Sequence, residues 1–387
     1  MNPSLTVFEK ADLALRLPFL FLPQVLLNCL RCASLAWWRG LPIRLYVSCG
    51  IIRTFLGCFS PRQIQVISPT PLETYKQWTA KKAAAARKSD DSLALSRLKV
   101  DIEELPDGQS SLLWIGNRQN ASQYVLFFPG GGYIAPLTSG HLEWCFRSYV
   151  STRKGDPEVA VAVLQYTLCP AARHPTQLSQ ASAALRSMID SGIRAGSIIV
   201  GGDSAGGNLT AQLLGHLAHG AIPFSLSEPL AGAFLVSPWV SRFTNTRSFL
   251  DNEYIDMLSS NHARASARNF LAQPIDEQTS IDKGQERSMP LDGGGEWLDN
   301  WGKVTKALYV AVGANEVLRD QGFQIAEIAR TRNKDMDVRL EVAETDAHDF
   351  VLLEGMMAFA AREYSDTPVS RLACHRSVVM SFFKELS

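Results

Sequence analysis

From residue 111 onward, short runs of β-branched and aromatic residues alternate with stretches whose apolar positions recur at helical spacing. The runs at 112–115, 124–128, 159–165, 197–200, 232–236, 308–312 and 338–342 read as strands. The stretches 142–151, 177–191, 208–219 and 322–333 read as helices, as does the basic segment 75–88. Strands separated by helices predict βαβ units and a mostly parallel sheet flanked by helices, an α/β class whose sites lie at the C-terminal strand ends. The stretch 241–300, with its Gly293-Gly294-Gly295 loop, is too long for one crossover and reads as a helical insertion forming part of a cap.

The N-terminal pattern differs. Residues 17–30 (LPFLFLPQVLLNCL), Trp37-Trp38 and the stretch 41–59 are apolar with little alternation. Charge sharpens this contrast. The 387 residues carry 38 Lys plus Arg against 38 Asp plus Glu, yet residues 16–62 hold six arginines and no Lys, Asp or Glu. That segment is therefore +6 and the remainder −6. Overall neutrality argues against nucleic-acid binding, which needs excess cation. A hydrophobic content of 46% with 20% charged residues describes a globular chain, and seven scattered cysteines make no disulfide scaffold. We divide the chain into an apolar, Arg-rich segment 1–65, interfacial or cap-forming, and a catalytic domain 66–387.

For the segment 16–62, a cleaved leader is disfavoured because Glu9 and Asp12 precede the apolar run and Pro18, Pro23, Gln24 and Asn28 interrupt it. The same residues shorten any membrane span below the roughly 20 apolar residues required. The reading favoured is attachment as a pair of short segments in a membrane interface, arginines at phosphate level and tryptophans at the boundary, with a marginal single span left open; a soluble lid over a lipophilic pocket is the alternative. Cys29 and Cys32 spell CxxC without a redox or zinc context.

The chemistry concentrates in two glycine motifs. Gly202-Asp203-Ser204-Ala205-Gly206 lies between an apolar strand and a helix, the strand–turn–helix setting of a nucleophile elbow. The flanking glycines suit a turn too sharp for Cβ atoms, and the helix N-terminus favours negative charge developing at Ser204. Pro129-Gly130-Gly131-Gly132-Tyr133 directly follows the run YVLFF. Its amides at Gly131 and Gly132, with that of Ala205, could hold an oxyanion.

With these motifs the chain resembles the hormone-sensitive-lipase-like branch of the α/β-hydrolase superfamily, and within it fungal steryl-acetyl-hydrolase-type esterases. Also carrying the resemblance are Tyr166-Thr167-Leu168-Cys169-Pro170, His174-Pro175 and Ser237-Pro238-Trp239. One departure stands out: Pro129 occupies the position of a family histidine that braces the glycine loop. The family's order of serine, acid, histidine implies Glu316 as the acid, in Glu316-Val317-Leu318-Arg319-Asp320, with Asp320 as its rival. It implies His348 as the base, in Ala347-His348-Asp349-Phe350. The other histidines read as structural: His216 and His219 on the helix after the serine, His141, His262 and His375 in helices or caps, His174 beside a proline. No metal or cofactor is expected. The resemblance implies an acyl-enzyme hydrolase of a lipophilic ester (an acetylated sterol, terpenoid or polyketide) at the endoplasmic-reticulum membrane, with a cytoplasmic location and a role in secondary metabolism as further readings. Acyl transfer or elimination and cyclisation at the same Ser–His pair, and a non-catalytic ligand-binding protein, are the competing functions; oligomeric state is left open.

Overall fold

The computed structural model describes residues 3–150, 157–221, 224–271, 287–360 and 370–384. Eight strands form one sheet: β1 (Asp101–Glu104), β2 (Ser111–Ile115), β3 (Gln123–Phe128), β4 (Val159–Gln165), β5 (Ile198–Asp203), β6 (Gly232–Val236), β7 (Ala307–Gly313) and β8 (Asp337–Ala343). Their order is β1-β2-β4-β3-β5-β6-β7-β8. β1 and β2 are antiparallel, as are β2 and β4, and the remaining neighbours are parallel. All seven expected strands are present. β1 is the addition. Its sequence, DIEE, pairs at the sheet edge, where Asp101 and Glu103 meet Arg118 instead of a core, so it carries no hydrophobic signal.

The helices are α1 (Val7–Arg16), α2 (Leu22–Trp38), α3 (Ile43–Cys58), α4 (Pro61–Ile67), α5 (Pro71–Lys88), α6 (Ser92–Arg97), α7 (Ser139–Cys145), α8 (Thr176–Asp190), α9 (Ala205–Ala218), α10 (Arg247–Asn252), α11 (Ser260–Phe270), α12 (Arg319–Arg332), α13 (Phe350–Ala360) and α14 (Ser370–Lys384). Strand pleating sends alternate residues to opposite cores. Leu126 and Phe128 of β3 pack on the face covered by α8, α9 and α12. Val125 and Phe127 pack on the other face with Trp78 of α5, Trp144 of α7 and Phe382 of α14. A sheet buried on both faces explains why its strands read as continuous apolar runs.

One expectation is met as far as the structure is described, and one is revised. The insertion 241–300 contains α10 and α11, but its stretch 272–286 lies outside the described residues, as does the last residue of the helix expected at 142–151. At the N-terminus, Pro18 and Pro23 do not break the apolar run into short segments. α1 continues through a π-helical stretch, Leu17–Phe21, into α2, making one helical path Val7–Trp38. Pro18 sits in the wide turn, where the Leu22 N–H reaches back to the Leu17 carbonyl; a π turn accommodates the donor that proline lacks. Among the described residues this path is the one helix long and apolar enough to cross a membrane, with a mean hydropathy of 1.7 in its most apolar window.

α2 and α3 pack as a hairpin. Gly50 approaches the Asn28 backbone so closely that a Cβ there would lie 3.0 Å away, and Asn28 Nδ2 donates to Thr54 Oγ1 at 2.9 Å. Asn28, a polar residue of the run, is thus satisfied between the two helices, while Gln24 is exposed. Most arginines also turn inward. Arg16 donates to the Cys58 carbonyl, Arg31 to Asn28, Arg39 to Asn252 and the Asp251 carbonyl, and Arg53 to the carbonyls of Asp256 and Leu258.

Candidate active site

β5 ends at Asp203, and the chain turns through Ser204 into α9. Ser204 has φ 49° and ψ −113°, a backbone conformation that a non-glycine residue adopts only when its surroundings enforce it. The enforcement is visible in the glycines. A Cβ on Gly202 would stand 2.1 Å from the Phe128 carbonyl oxygen, and one on Gly206 only 1.8 Å from it. The turn therefore packs directly against the end of β3, from which the glycine-rich loop departs.

Gly131 and Gly132 take φ values of 113° and 60°. Among the described residues no hydrogen bond uses their amide groups, so both remain available as donors beside Ser204. The loop that begins at Pro129 is anchored. The Pro129 carbonyl accepts from the Tyr166 hydroxyl at 2.7 Å. The Gly130 amide donates to Asp203 Oδ1 at 3.1 Å. Tyr133, itself at φ 60°, donates to Asn208 Oδ1 at 2.7 Å and stacks on Phe270 with ring centroids 4.1 Å apart.

His141 completes this support. The Thr138 amide donates to its Nδ1 at 3.0 Å, which assigns the ring proton to Nε2, 3.2 Å from Asp203 Oδ2. Sequence reading gave His141 no such place, although Asp203 lies within the elbow motif. His262 likewise faces the cavity beside Ser204.

The three expected residues converge at the strand ends. Ser204 Oγ and His348 Nε2 are 3.0 Å apart. Glu316, fully buried, accepts from the Ser237 hydroxyl at 2.6 Å and the Gly313 amide at 3.1 Å. Its Oε2 lies 3.9 Å from His348 Nδ1, longer than a hydrogen bond. His348 Nδ1 and Glu316 Oε1 have no hydrogen-bond partner among the described residues, so the acid faces an imidazole nitrogen that nothing else engages. Asp320, the rival acid, instead accepts from the Ser248 amide at 2.7 Å and pairs with Arg319.

A second carboxylate, unmarked in the sequence reading, stands beside the base: Asp349 Oδ2 is 3.2 Å from His348 Nε2. Burial pushes Glu316 up to about 8 and Asp349 up to about 6. Burial opposes a charge on His348, but Asp349, Glu316 and Asp256 outweigh it and raise the imidazole well above its ordinary value. The pocket thus stabilises an imidazolium, the species formed when His348 takes the serine proton.

Ser204 opens into a cavity of about 270 Å³. Ile52, Phe55 and Leu56 of α3 form one wall, and Trp239, Leu352 and Met356 form others. Both expected cap elements take part, since α11 adds His262 and Ser266. Among the described residues no cluster of His, Cys, Asp or Glu could hold a metal ion.

A family model for the alpha/beta hydrolase fold matches residues 125–352, a span running from β3 past His348. A protein called acetyl-hydrolase from Streptomyces hygroscopicus is 24% identical over 226 residues, 57% of this chain and 67% of its own length. Among solved structures, the hyperthermophilic esterase of Pyrobaculum calidifontis aligns with a TM-score of 0.59 at 18% identity, over 88% of this chain and 97% of that one. Carboxyl esterase 2 of Tuber melanosporum aligns with a TM-score of 0.56 at 17% identity, over 74% and 85% respectively. At such identities these structures speak for the fold.

Proposed function

The chain belongs to the alpha/beta-hydrolase fold family, and from that premise we propose that it is a serine carboxylic-ester hydrolase acting on lipophilic esters with short acyl groups. The observation that carries the reading is the 3.0 Å contact between Ser204 Oγ and His348 Nε2 at the floor of an apolar cavity. His348 Nε2 takes the hydroxyl proton as Oγ attacks the ester carbonyl carbon. The amides of Gly131, Gly132 and Ala205 hold the oxygen that becomes negative. Collapse breaks the C–O bond to the alcohol, which leaves with the proton from His348. Water, deprotonated by the same nitrogen, then releases the acid from Ser204. Glu316 orients the ring and supports its positive charge.

The small, largely apolar cavity supports a short acyl group on an apolar alcohol, and a relative bears the name acetyl-hydrolase. We further propose that the outer face of Val7–Trp38 rests on a membrane, that of the endoplasmic reticulum being the surface implied by the resemblance. Phe8, Phe19, Leu26, Leu30, Trp37 and Trp38 are all more than half exposed, a display that water disfavours and an interface accepts. The inward-turned arginines make this contact mainly apolar.

The test is release of p-nitrophenol from acetyl to octanoyl esters, with a serine-reactive phosphonate as a covalent label. Wild type should turn over the short esters and take the label at Ser204, and Ser204→Ala should do neither. Absence of turnover at every chain length together with absence of labelling overturns the reading.

A further inference from the structure

We infer that Asp256, in the insertion between α10 and α11, is a positioning residue whose buried carboxylate ties the loop of the acid to the loop of the base. The inference rests on the Ser204–His348–Glu316 reading above. Asp256 is fully buried. Its Oδ2 accepts from the Val317 amide, next to Glu316, at 2.8 Å. Its Oδ1 accepts from the His348 amide at 3.2 Å and from its neighbour Met257 at 2.7 Å. One carboxylate therefore grips both loops through backbone amides, which are independent of the side chains those loops carry.

The rest of the insertion grips the same loop. Asn252 Nδ2 donates to the Glu316 carbonyl at 3.0 Å, Ser248 Oγ donates to the Val317 carbonyl at 2.7 Å, and the Ser248 amide donates to Asp320. Ser248, Asn252 and Asp256 recur every fourth residue, so α10 and the turn after it present one continuous set of contacts to residues 316–320. The insertion is thus a clamp on the acid loop as well as a cover on the cavity. Asp256 also adds a third negative charge near the imidazole, after Asp349 and Glu316. The charged and titratable groups facing Asp256 are His348 and Glu316 from the two loops, Cys32 from α2, and Tyr46, Cys49 and Arg53 from α3.

Asp256→Asn preserves shape but presents an NH₂ group where one of the amides needs an acceptor, and it removes the charge. The full-length chain is assayed with p-nitrophenyl acetate from pH 5 to 9, as wild type, Ser204→Ala, Asp256→Asn and Asn252→Ala, with phosphonate labelling to count competent sites. For Asp256→Asn we expect kcat to fall by roughly tenfold to a hundredfold, the scale of a misplaced reacting group, with KM within about twofold. A carboxylate stabilises imidazolium and raises its pKa, so the acidic limb of kcat/KM should move to lower pH in Asp256→Asn. Asn252→Ala removes a loop contact without a charge, so kcat should fall severalfold while the limb stays in place. A wild-type kcat in Asp256→Asn, or a fall with an unmoved limb, overturns the inference while an inactive Ser204→Ala leaves the esterase reading intact. Should Asp256→Asn not fold, a wild-type kcat in Asn252→Ala overturns it instead. An active Ser204→Ala overturns the esterase reading itself.

Discussion

The strand-end floor of the site and the N-terminal layer above it are both built from apolar residues, and they dispose of them in opposite ways. At the floor, β3, β5 and β6 bury nearly every side chain between two helix layers, and the catalytic geometry is set where glycines let backbones touch. In the layer above, α3 turns Ile52, Phe55 and Leu56 inward to the cavity, while α2 turns Leu26, Leu27, Leu30, Trp37 and Trp38 outward. The floor is explained by water as the sole surrounding solvent. If the outer face of Val7–Trp38 rests on a membrane as proposed, the layer has water or substrate on one side and an apolar medium on the other. Precision is therefore expected from the floor and adaptability from the layer, and substitutions in the two should fail in different ways.

The largest effect belongs to the floor. Gly206→Ala places a Cβ 1.8 Å from a carbonyl oxygen with no flexible side chain to yield, so the elbow cannot form. We expect loss of soluble folded protein or, where some survives, no phosphonate labelling at Ser204. Next comes Glu316→Gln, which keeps the shape but leaves the imidazole without its acid partner. By analogy with acid-to-amide changes in other serine hydrolases, kcat should drop by roughly two to four orders of magnitude, with the melting temperature retained. A kcat within tenfold of wild type would overturn Glu316 as the acid; Asp349 would not take its place, because it meets Nε2, the nitrogen that takes the serine proton, and not Nδ1.

These floor residues were legible in the sequence because their chemistry is local. The elbow and the glycine loop are contiguous motifs, and the strands that carry them are buried on both faces. Glu316 and His348 followed from family order and not from spacing. Asp256 left no trace, because its hydrogen bonds go to backbone amides 61 and 92 residues away. His141 was illegible for the same reason: its partner Asp203 is 62 residues distant. In the layer above, composition was read correctly as apolar and arginine-rich, but the prolines misled. They suggested breaks, whereas a π turn lets the helix run on from Val7 to Trp38. Arginines expected at phosphate level were likewise drawn to nearby carbonyls, which sequence alone does not reveal.

Replacing Trp37 and Trp38 by serine addresses the outer face. Each ring is 76% exposed, and withdrawing one large apolar side chain from a membrane interface costs about 1.5 kcal/mol, or roughly tenfold in partitioning. Flotation with phospholipid vesicles should show about a hundredfold weaker binding for the double variant, with kcat on p-nitrophenyl acetate unchanged. Raising salt should release little wild-type protein, because the contact is mainly apolar. Release by salt would return the arginines to the membrane surface, and a kcat falling in parallel would erase the distinction between floor and layer.

The smallest effect concerns the seam where the two regions meet. His262 on α11 packs against α3 so closely that a Cβ on Gly57 would lie 2.9 Å from its Nε2. Burial, with Arg53 adding to it, lowers this histidine to about 4, so the packed seam holds it neutral. The unfolded or detached ring keeps an ordinary value near 6.5. A group whose pKa is depressed in the folded state contributes stability that is complete above pH 6.5 and is lost as pH falls toward 4. Acid should therefore loosen α3 before it disturbs the sheet. Hydrogen exchange compared at pH 7 and pH 5, corrected for the intrinsic rate, should show protection falling in α3 while β5 and β6 stay protected. His262→Gln removes the titration, and its α3 should exchange alike at both pH values. Equal protection of wild-type α3 at the two pH values, or acid sensitivity that survives in His262→Gln, would mean the seam is held by something other than the neutral imidazole, leaving the Arg53–Glu253 ion pair between α3 and the insertion as the contact to examine.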